Sequence, residues 1–494
     1  MDLAQGFLYL LQPGPFVLLL VGTLLGIVVG ALPGLTGGAL LALTLPITYR
    51  MSNADAVTLM TAMYVGGISG GLITATLMRI PGEPSAVVTT LDGFPMARAG
   101  WPGRALGLGI SASLIGGALS WVALILLSPV LARWALVFGP FENFALVMMA
   151  LVLIAALSTG SVLKGLLSGL LGMLVSYPGV DETSGQLRLT FGVADLAGGF
   201  SNLAVILGAF AISQALADAM HVDQRFERLD AGLRGIFLSP RDYVAQAWNI
   251  LRSAAIGIWI GILPGVGASV SSIVAYSTAK NMSKTPEKFG TGFDDGIVAA
   301  ETANNANTGG ALIPMITLGI PGSPAASILL AALLLHNVQP GPTLFTNHPD
   351  VVNALMASHL AAHVVMYAMM VAGCLLIARL MYVHRAYVLP LIVVLCAIGA
   401  YAEKGQMFDV WTALGFGVIG FALELCAVPL GPFVIGLILA PLAELQLRAG
   451  LMASDGSLRP LVERPLPACF LAVSVLFFLW PLWRDWRRRT AARG

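Results

Sequence analysis

The chain has 494 residues, of which 57% are hydrophobic and only 10% are charged, and its net charge is +1. This composition excludes a soluble enzyme and predicts an all-α, polytopic integral membrane protein of about 10 to 12 helical segments embedded in the lipid bilayer. A net charge near zero gives no general attraction to nucleic acid, so no nucleic-acid partner is expected. The four cysteines lack C-x-x-C spacing, which argues against a disulfide framework or a metal site.

The first apolar segment, residues 15–50, is interrupted halfway by Pro33 and Gly34. Each half is shorter than the roughly 20 helical residues that cross a bilayer core. The interruption therefore predicts either a re-entrant helical hairpin with its tip at these two residues or a broken spanning helix. A full-length apolar segment follows, and a second break comes after it at Pro81 and Gly82.

Both breaks recur in the second half of the chain. The motif G-I-V-V-G-A-L-P-G, which ends at Gly34, returns as G-I-W-I-G-I-L-P-G, and I-P-G-E-P-S-A returns as I-P-G-S-P-A-A. Two ordered motifs that recur in this way indicate an internal repeat with paired broken helices, as in secondary transporters. The predicted break residues are Pro33, Gly34, Pro81, Gly82, Pro264, Gly265, Pro321 and Gly322.

A mixed-charge segment, residues 218–252, is predicted to be a soluble cytoplasmic connection between a first transmembrane repeat, residues 1–217, and a second one, residues 253–494. Lysine and arginine concentrate in cytoplasmic loops. The second hairpin is flanked by Arg252 and by three lysines between residues 280 and 288, which favours inverted repeats whose hairpins enter from opposite sides. The basic tail predicts a cytoplasmic C-terminus.

The apolar segment that begins at Gly296 contains a carboxylate, three amides and a hydroxyl, which must face protein, water or an ion because exposure to lipid is too costly. These residues are Glu301, Asn304, Asn305, Asn307 and Thr308. Their oxygens predict a site for the coupling ion, either sodium or a proton, and the helical period favours Asn304 and Asn307 as the inward pair. In the structural alternative, the amides only bridge helices.

Helix N-termini next to the breaks offer free backbone amides and a positive dipole end to a carboxylate substrate. Arg79, beside the second break, is predicted to pair with the same carboxylate, or alternatively to extend to the membrane interface. The predicted substrate-binding residues are Thr36, Gly37, Arg79, Ser85, Ser269 and Ser323.

The motifs also carry a resemblance to a known family. They read G-A-L-P-G-L, I-P-G-E-P-S-A-V-V-T-T-L-D-G-F-P-M-A, E-T-A-N-N-A-N-T-G-G-A-L-I-P-M-I-T-L-G-I-P-G-S-P and Q-P-G-P. Together they resemble the large membrane subunit, of TctA type, of the tripartite tricarboxylate transporter family. The resemblance implies a multi-pass permease of the bacterial inner membrane that works with a small membrane subunit and a periplasmic solute-binding protein. It also implies import of carboxylates with a cation gradient.

A secondary active transporter without cofactors is therefore the leading hypothesis, and an intramembrane enzyme or a membrane scaffold is the alternative. The enzyme would need a constellation such as G-x-G-D, a Ser-His pair or H-E-x-x-H, and none is present. A scaffold has no need of duplicated broken helices. The chain also lacks G-x-x-x-x-G-K-[ST], so an ion gradient or a partner must supply the energy.

Overall fold

The computed structural model describes residues 2–32, 35–157, 161–181, 184–220, 232, 234–380 and 385–491. The predicted break at Pro33 and Gly34 lies outside these residues. The described chain is almost entirely helical, which confirms the predicted all-α class. Seven of its helices are long and apolar enough to span a membrane, and shorter apolar helices accompany them.

The first half consists of helices connected by short turns and a small polar hairpin. The helices are α1 (Leu3–Leu10), α2 (Pro13–Ala31), α3 (Gly37–Thr48), α4 (Asn53–Met78), α5 (Thr89–Arg98), α6 (Pro102–Ala135), α7 (Pro140–Leu157), α8 (Val162–Ser176), α9 (Asn202–Ile206) and α10 (Ser213–Ala219). A π-helical turn, Leu207–Ile212, joins α9 to α10. Strands β1 (Gly179–Val180) and β2 (Leu187–Arg188) pair antiparallel, and short 3-10 turns cover Pro84–Ala86 and Ala194–Gly198.

The second half has the same character. Its helices are α11 (Pro240–Ile262), α12 (Gly267–Met282), α13 (Asp294–Leu318), α14 (Pro324–Leu335), α15 (Leu344–Asn347), α16 (Pro349–Leu380), α17 (Arg385–Lys404), α18 (Met407–Leu425), α19 (Leu430–Ala453), α20 (Pro460–Glu463) and α21 (Pro465–Ala491), with a 3-10 turn at Pro286–Lys288. Residues 240–252, the last part of the predicted soluble connection, form the first half of α11. A Ser239 capping box and a proline in the first turn start this helix early.

The long helices α4 and α13 each precede one copy of the recurring I-P-G motif and end in the same way. Each is followed by a residue in the left-handed conformation, Arg79 with φ 57° and Gly319 with φ 71°. The next amide then turns back onto the helix, from Ile80 to the Thr74 carbonyl and from Ile320 to the Pro314 carbonyl. The chain therefore reverses after each helix and returns toward the middle of the molecule.

The left-handed backbone at Arg79 predicts an unusual order of stability among substitutions. Arg79→Ala and Arg79→Gly both remove the guanidinium, which lies 5.9 Å from the centroid of the Phe94 ring. Only glycine adopts a positive φ without strain, so Arg79→Gly is expected to be more stable than Arg79→Ala by about 1 kcal/mol. Thermal unfolding of the two purified variants measures the difference, and equal stabilities would contradict the strain.

The two breaks also pack in the same way. A Cβ atom added to Gly82 would lie 2.2 Å from the Gly30 carbonyl oxygen, and one added to Gly322 would lie 2.1 Å from the Gly261 carbonyl oxygen. Gly30 and Gly261 in turn occupy matching places near the ends of α2 and α11. The glycines of the breaks are thus required for direct contact between backbones.

Each half covers the long helix of the other half. Helix α6 of the first half packs along α13, and α16 of the second half packs along α4. The same exchange occurs at the periphery, where α8 packs on α19 and α18 packs on the π-helical turn. The two halves therefore interlock.

Candidate functional site

A cavity of about 360 Å³ lies where the two breaks meet the starts of α12 and α19. Residues from both halves form its wall. Four of the six residues predicted to bind substrate line it, namely Thr36, Ser85, Ser269 and Ser323, and so does the break residue Gly265. The fold thus brings together positions that are separated by more than half of the chain.

Two of the hydroxyl groups in this wall cap helices. The Thr36 hydroxyl accepts a hydrogen bond from the Ala39 amide at the start of α3, and the Ser323 hydroxyl accepts one from the Ala326 amide at the start of α14, both at 3.1 Å. Ser323 also lies 3.1 Å from the Tyr64 hydroxyl of α4. Ser85 differs, because its side-chain oxygen is buried and has no hydrogen-bond partner. Ser85 therefore offers a buried hydroxyl with a free hydrogen-bonding capacity to the cavity.

The amide of Gly37, predicted to bind the substrate, is already occupied by the protein itself. It donates a hydrogen bond of 2.8 Å to Oε2 of Glu83. Glu83 lines the cavity and holds the place that the substrate carboxylate was expected to take. Glu83 was not among the predicted site residues, although the recurring motif gave a signal, since I-P-G-E-P has a glutamate where I-P-G-S-P has Ser323.

The cavity wall contains carboxyl groups but no basic side chain among its described residues. Glu83 and Glu424 line it, whereas none of the described lining residues is lysine, arginine or histidine. Arg79, predicted to pair with the substrate, does not line the cavity; its side chain is exposed and lies over the Phe94 ring. Arg79 has a left-handed backbone at the point where the chain reverses, and its side chain lies outside the cavity.

One wall of the cavity comes from the segment that contains the π-helical turn. Phe210 lies within this turn and Gln214 lies just after it, and both line the cavity. A π-helical turn interrupts the regular hydrogen bonds of an α-helix and is found frequently at functional sites. This turn was not predictable from the sequence, because the apolar segment around it has the pattern of an ordinary helix.

The polar residues of α13 form a second, fully buried cluster. Glu301 is 0% exposed and its carboxylate accepts hydrogen bonds from the Thr89 hydroxyl, from the Ser113 hydroxyl at 3.4 Å and from the Asn304 amide at 3.3 Å. Within the described residues, no lysine or arginine forms an ion pair with it. This carboxyl group is therefore held by neutral donors in the centre of the molecule.

The three asparagines of the cluster face different neighbours. The Asn304 amide donates to the Ile68 carbonyl of α4, and the Asn307 amide donates to the Ser271 hydroxyl of α12 at 2.8 Å. Asn305 uses both ends, accepting from the Ser69 hydroxyl at 2.7 Å and donating to the Glu301 carbonyl. The side-chain oxygens of Asn304 and Asn307 are buried without a hydrogen-bond partner. The predicted inward pair thus keeps free oxygens, but its amides bond to different helices.

A histidine that sequence reasoning did not assign to this cluster joins it from α16. Nε2 of His359 lies 3.0 Å from the Thr308 hydroxyl, which itself donates to the Asn305 carbonyl. His363 follows one turn later, and its Nδ1 lies 2.8 Å from the His359 carbonyl. The spacing of the two histidines shows that they share a helix face, but only the packing of α16 places them beside α13.

The cluster lies directly behind the cavity wall. Tyr64 and Ile68 of α4 line the cavity, and the carbonyl of Ile68 accepts the hydrogen bond from Asn304. Ser69, the next residue of α4, contacts Asn305. One helix therefore connects the cavity with the buried polar groups.

Comparison with known proteins identifies a family and two relatives that the chain resembles. It matches the family described as "Tripartite tricarboxylate transporter TctA family" over residues 16–435. It is 33% identical over 438 residues to an Agrobacterium vitis protein named "Uncharacterized 52.8 kDa protein in TAR-I ttuC' 3'region", which covers 88% of this chain and 86% of that protein. A second Agrobacterium vitis protein, named "Uncharacterized protein in TAR-II ttuC' 3'region", is 31% identical over 220 residues, covering 44% of this chain and 91% of that protein.

Proposed function

Because the chain belongs to the tripartite tricarboxylate transporter TctA family, we propose that it is the large permease subunit of a secondary transporter that imports carboxylates. The substrates are tricarboxylates or dicarboxylates, and the membrane is the bacterial inner membrane. A periplasmic solute-binding protein delivers the substrate, a small membrane subunit completes the permease, and a cation gradient supplies the energy. The observation that carries this proposal is the cavity in which both broken helices meet.

The size and chemistry of the cavity suit a small organic acid. Its volume of about 360 Å³ falls at the lower end of the usual range for small-molecule sites. The starts of α3 and α14 direct the positive ends of two helices toward it, and Ser85 offers a free hydroxyl. Carboxylate binding at helix ends needs no cofactor.

The directions of the helices support an inverted repeat. Along α2 and α4, Gly26 faces Met63 and Gly30 faces Gly67, so these helices run parallel. Helices α11 and α13 also run parallel, since Gly257 faces Ala303 and Gly261 faces Asn307.

Helices α4 and α13 then cross in opposite directions. Ser69 in the second half of α4 contacts Asn305 near the middle of α13. Asp92 lies beside the end of α4, where the neighbouring Gly93 packs against Thr76, and accepts hydrogen bonds of 2.8 to 2.9 Å from the amides just before α13, those of Gly290, Gly292 and Phe293. Equivalent helices that run in opposite directions through one centre are what alternating access by inverted repeats requires.

This arrangement predicts the side of the membrane from which three labels react. In a cysteine-free background, Lys284→Cys and a cysteine in the C-terminal tail are expected to react with an impermeant thiol reagent only from the cytoplasm, because basic residues surround both sites. Asn347→Cys, exposed just before α16, is expected to react from the periplasm. Labelling of Lys284→Cys from the periplasm would contradict the proposed inversion.

The test of the function is uptake by the reconstituted system. Vesicles that contain both membrane subunits, supplied with the binding protein, are expected to accumulate labelled citrate or succinate when a cation gradient is imposed. Uptake should stop when the binding protein is omitted. The proposal fails if neither acid enters under any gradient of sodium or protons.

A further inference from the structure

Glu83 occupies an anion site that the protein built at the start of α3. Its Oε2 atom accepts the Gly37 amide at 2.8 Å, at the positive end of this helix. The close packing of Gly71 against the Glu83 backbone fixes this position, because a Cβ on Gly71 would lie 2.8 Å from the Glu83 nitrogen. The carboxylate of Glu83 therefore stands where a substrate carboxylate would bind best.

A second observation indicates that a ligand enters at this place. Ser85 lies two residues after Glu83, is 3% exposed, and lines the cavity, yet its side-chain oxygen has no hydrogen-bond partner. A buried hydroxyl without a partner is costly unless something supplies the missing bond. A carboxylate in the cavity would accept this hydroxyl.

Glu83 and an incoming carboxylate cannot both be charged without a large penalty. The groups that face Glu83 in the cavity are the Tyr64 phenol of α4 and the Glu424 carboxyl at the end of α18, and the described lining residues of α3, α12, α14 and α19 add no ionisable side chain. Two like charges about 5 Å apart at an effective dielectric constant near 20 weaken binding on the order of 100-fold. No basic group in the described wall compensates for this repulsion.

We propose that Glu83 takes up one proton as the substrate carboxylate enters, so that the substrate and a proton cross the membrane together. In the empty cavity, ionised Glu83 accepts the Gly37 amide. When the substrate arrives, its carboxylate takes over this amide and the Ser85 hydroxyl, and a proton from water binds to the Glu83 carboxyl. Release reverses both steps, and no bond other than the O–H bond is formed or broken. This inference rests on the proposed transport function and names the residue that couples it to protons.

The test compares the pH dependence of citrate uptake in the reconstituted complex. At limiting citrate and between about pH 7 and about pH 8, wild-type uptake is expected to fall by up to about tenfold per pH unit, because deprotonation of Glu83 opposes binding. Glu83→Gln keeps the shape of the side chain without a titrating group. Its uptake is expected to be independent of pH over this range and to exceed that of the wild type at the alkaline end.

Two control variants test whether the pH dependence of uptake belongs to Glu83 alone. Glu424→Gln removes the other carboxyl of the cavity and is expected to retain the wild-type pH slope, whatever its rate. Ser85→Ala is expected to raise the apparent citrate constant about tenfold with the pH slope unchanged, because it removes a hydrogen bond and no titrating group. Ionisation of citrate itself is common to all proteins and cancels in the comparison.

Proton uptake on citrate binding can be measured with the wild-type protein alone. In weakly buffered solution, citrate binding to the purified complex is expected to take up about one proton per citrate, read with a pH-indicator dye.

The proposal is overturned if Glu83→Gln transports with the wild-type pH slope, or if Glu424→Gln alone loses the slope. Loss of sodium dependence in Glu83→Gln, with the pH slope retained, would assign sodium to this carboxylate and also overturn it. Absence of any citrate or succinate uptake by the wild type would refute the proposed function itself, and this inference with it.

Discussion

Gly82→Ala and Gly322→Ala are each expected to abolish transport and to lower the stability of the protein substantially. The added Cβ atoms would lie 2.2 Å and 2.1 Å from the carbonyl oxygens of Gly30 and Gly261. Carbon and oxygen atoms do not approach this closely, and the atoms that would have to move belong to the backbone. Overpacking of this kind costs about 1 to 3 kcal/mol or more. It would also displace the segment that carries Glu83 or Ser323 to the cavity.

A matched control is available in α18. Gly415 is exposed and a Cβ atom there would meet nothing within 4 Å, so Gly415→Ala is expected to stabilise the helix by up to about 1 kcal/mol. Thermal unfolding and citrate uptake of the three variants give the comparison. The role assigned to the breaks is wrong if Gly82→Ala or Gly322→Ala unfolds and transports like Gly415→Ala.

Asn304→Ala and Asn307→Ala are expected to raise the sodium concentration that gives half-maximal uptake. The side-chain oxygen of each residue is buried without a partner, and neutral oxygens of this kind are ligands for a hard monovalent cation. Loss of one such interaction with a charged group is expected to weaken sodium binding by about 1.5 to 3 kcal/mol. The expected shift is therefore about tenfold to 100-fold in sodium, followed by a smaller loss of substrate affinity through linkage.

Asn305→Ala is the control for this prediction, because both ends of the Asn305 amide are already bonded within the protein. It is expected to lower thermal stability and to leave the sodium requirement unchanged. Uptake against external sodium, measured for the three variants, separates the two roles. An unaltered sodium dependence in both Asn304→Ala and Asn307→Ala would leave only the structural interpretation of the cluster.

The sequence was sufficient for the features that depend on local chemistry. Hydropathy predicts an all-α membrane protein, and proline-glycine pairs predict where helices end, because both follow from the residues themselves. The repeat then brings Thr36, Ser85, Ser269 and Ser323 to one region by analogy with other broken-helix proteins. The structure lines one cavity with these four residues.

Features that depend on the direction of a side chain were not predictable. Arg79 is adjacent to a break in the sequence. In the structure its backbone is left-handed, and its guanidinium lies over Phe94 and outside the cavity. Glu83 could be recognised as a polar break residue, yet nothing in its sequence context shows that it bonds to the Gly37 amide of another helix.

Helical periodicity has the same limit. It places Asn304 and Asn307 on one face of α13, but that face meets α4 at Asn304 and α12 at Asn307. The contact of His359 with Thr308 depends on the packing of α16. Periodicity therefore predicts which residues share a face and does not predict which neighbour covers each of them.

Because the two halves interlock, the first half lacks part of its packing until the second half has been synthesised. The Ser113 hydroxyl of α6 donates a hydrogen bond to Glu301 of α13, which lies 188 residues later in the chain. This bond cannot form until α13 has been synthesised. While the ribosome makes this intervening stretch, the surface of α6 that includes Ser113 and Gly116 has no α13 to cover it. The native contacts have a high contact order, which slows folding and prolongs exposure of unfinished states. Truncated chains that stop after α10 are expected to have shorter lifetimes in cells than chains that stop after α14, and equal lifetimes would contradict this. We therefore expect the first half to depend on α13 for its stability.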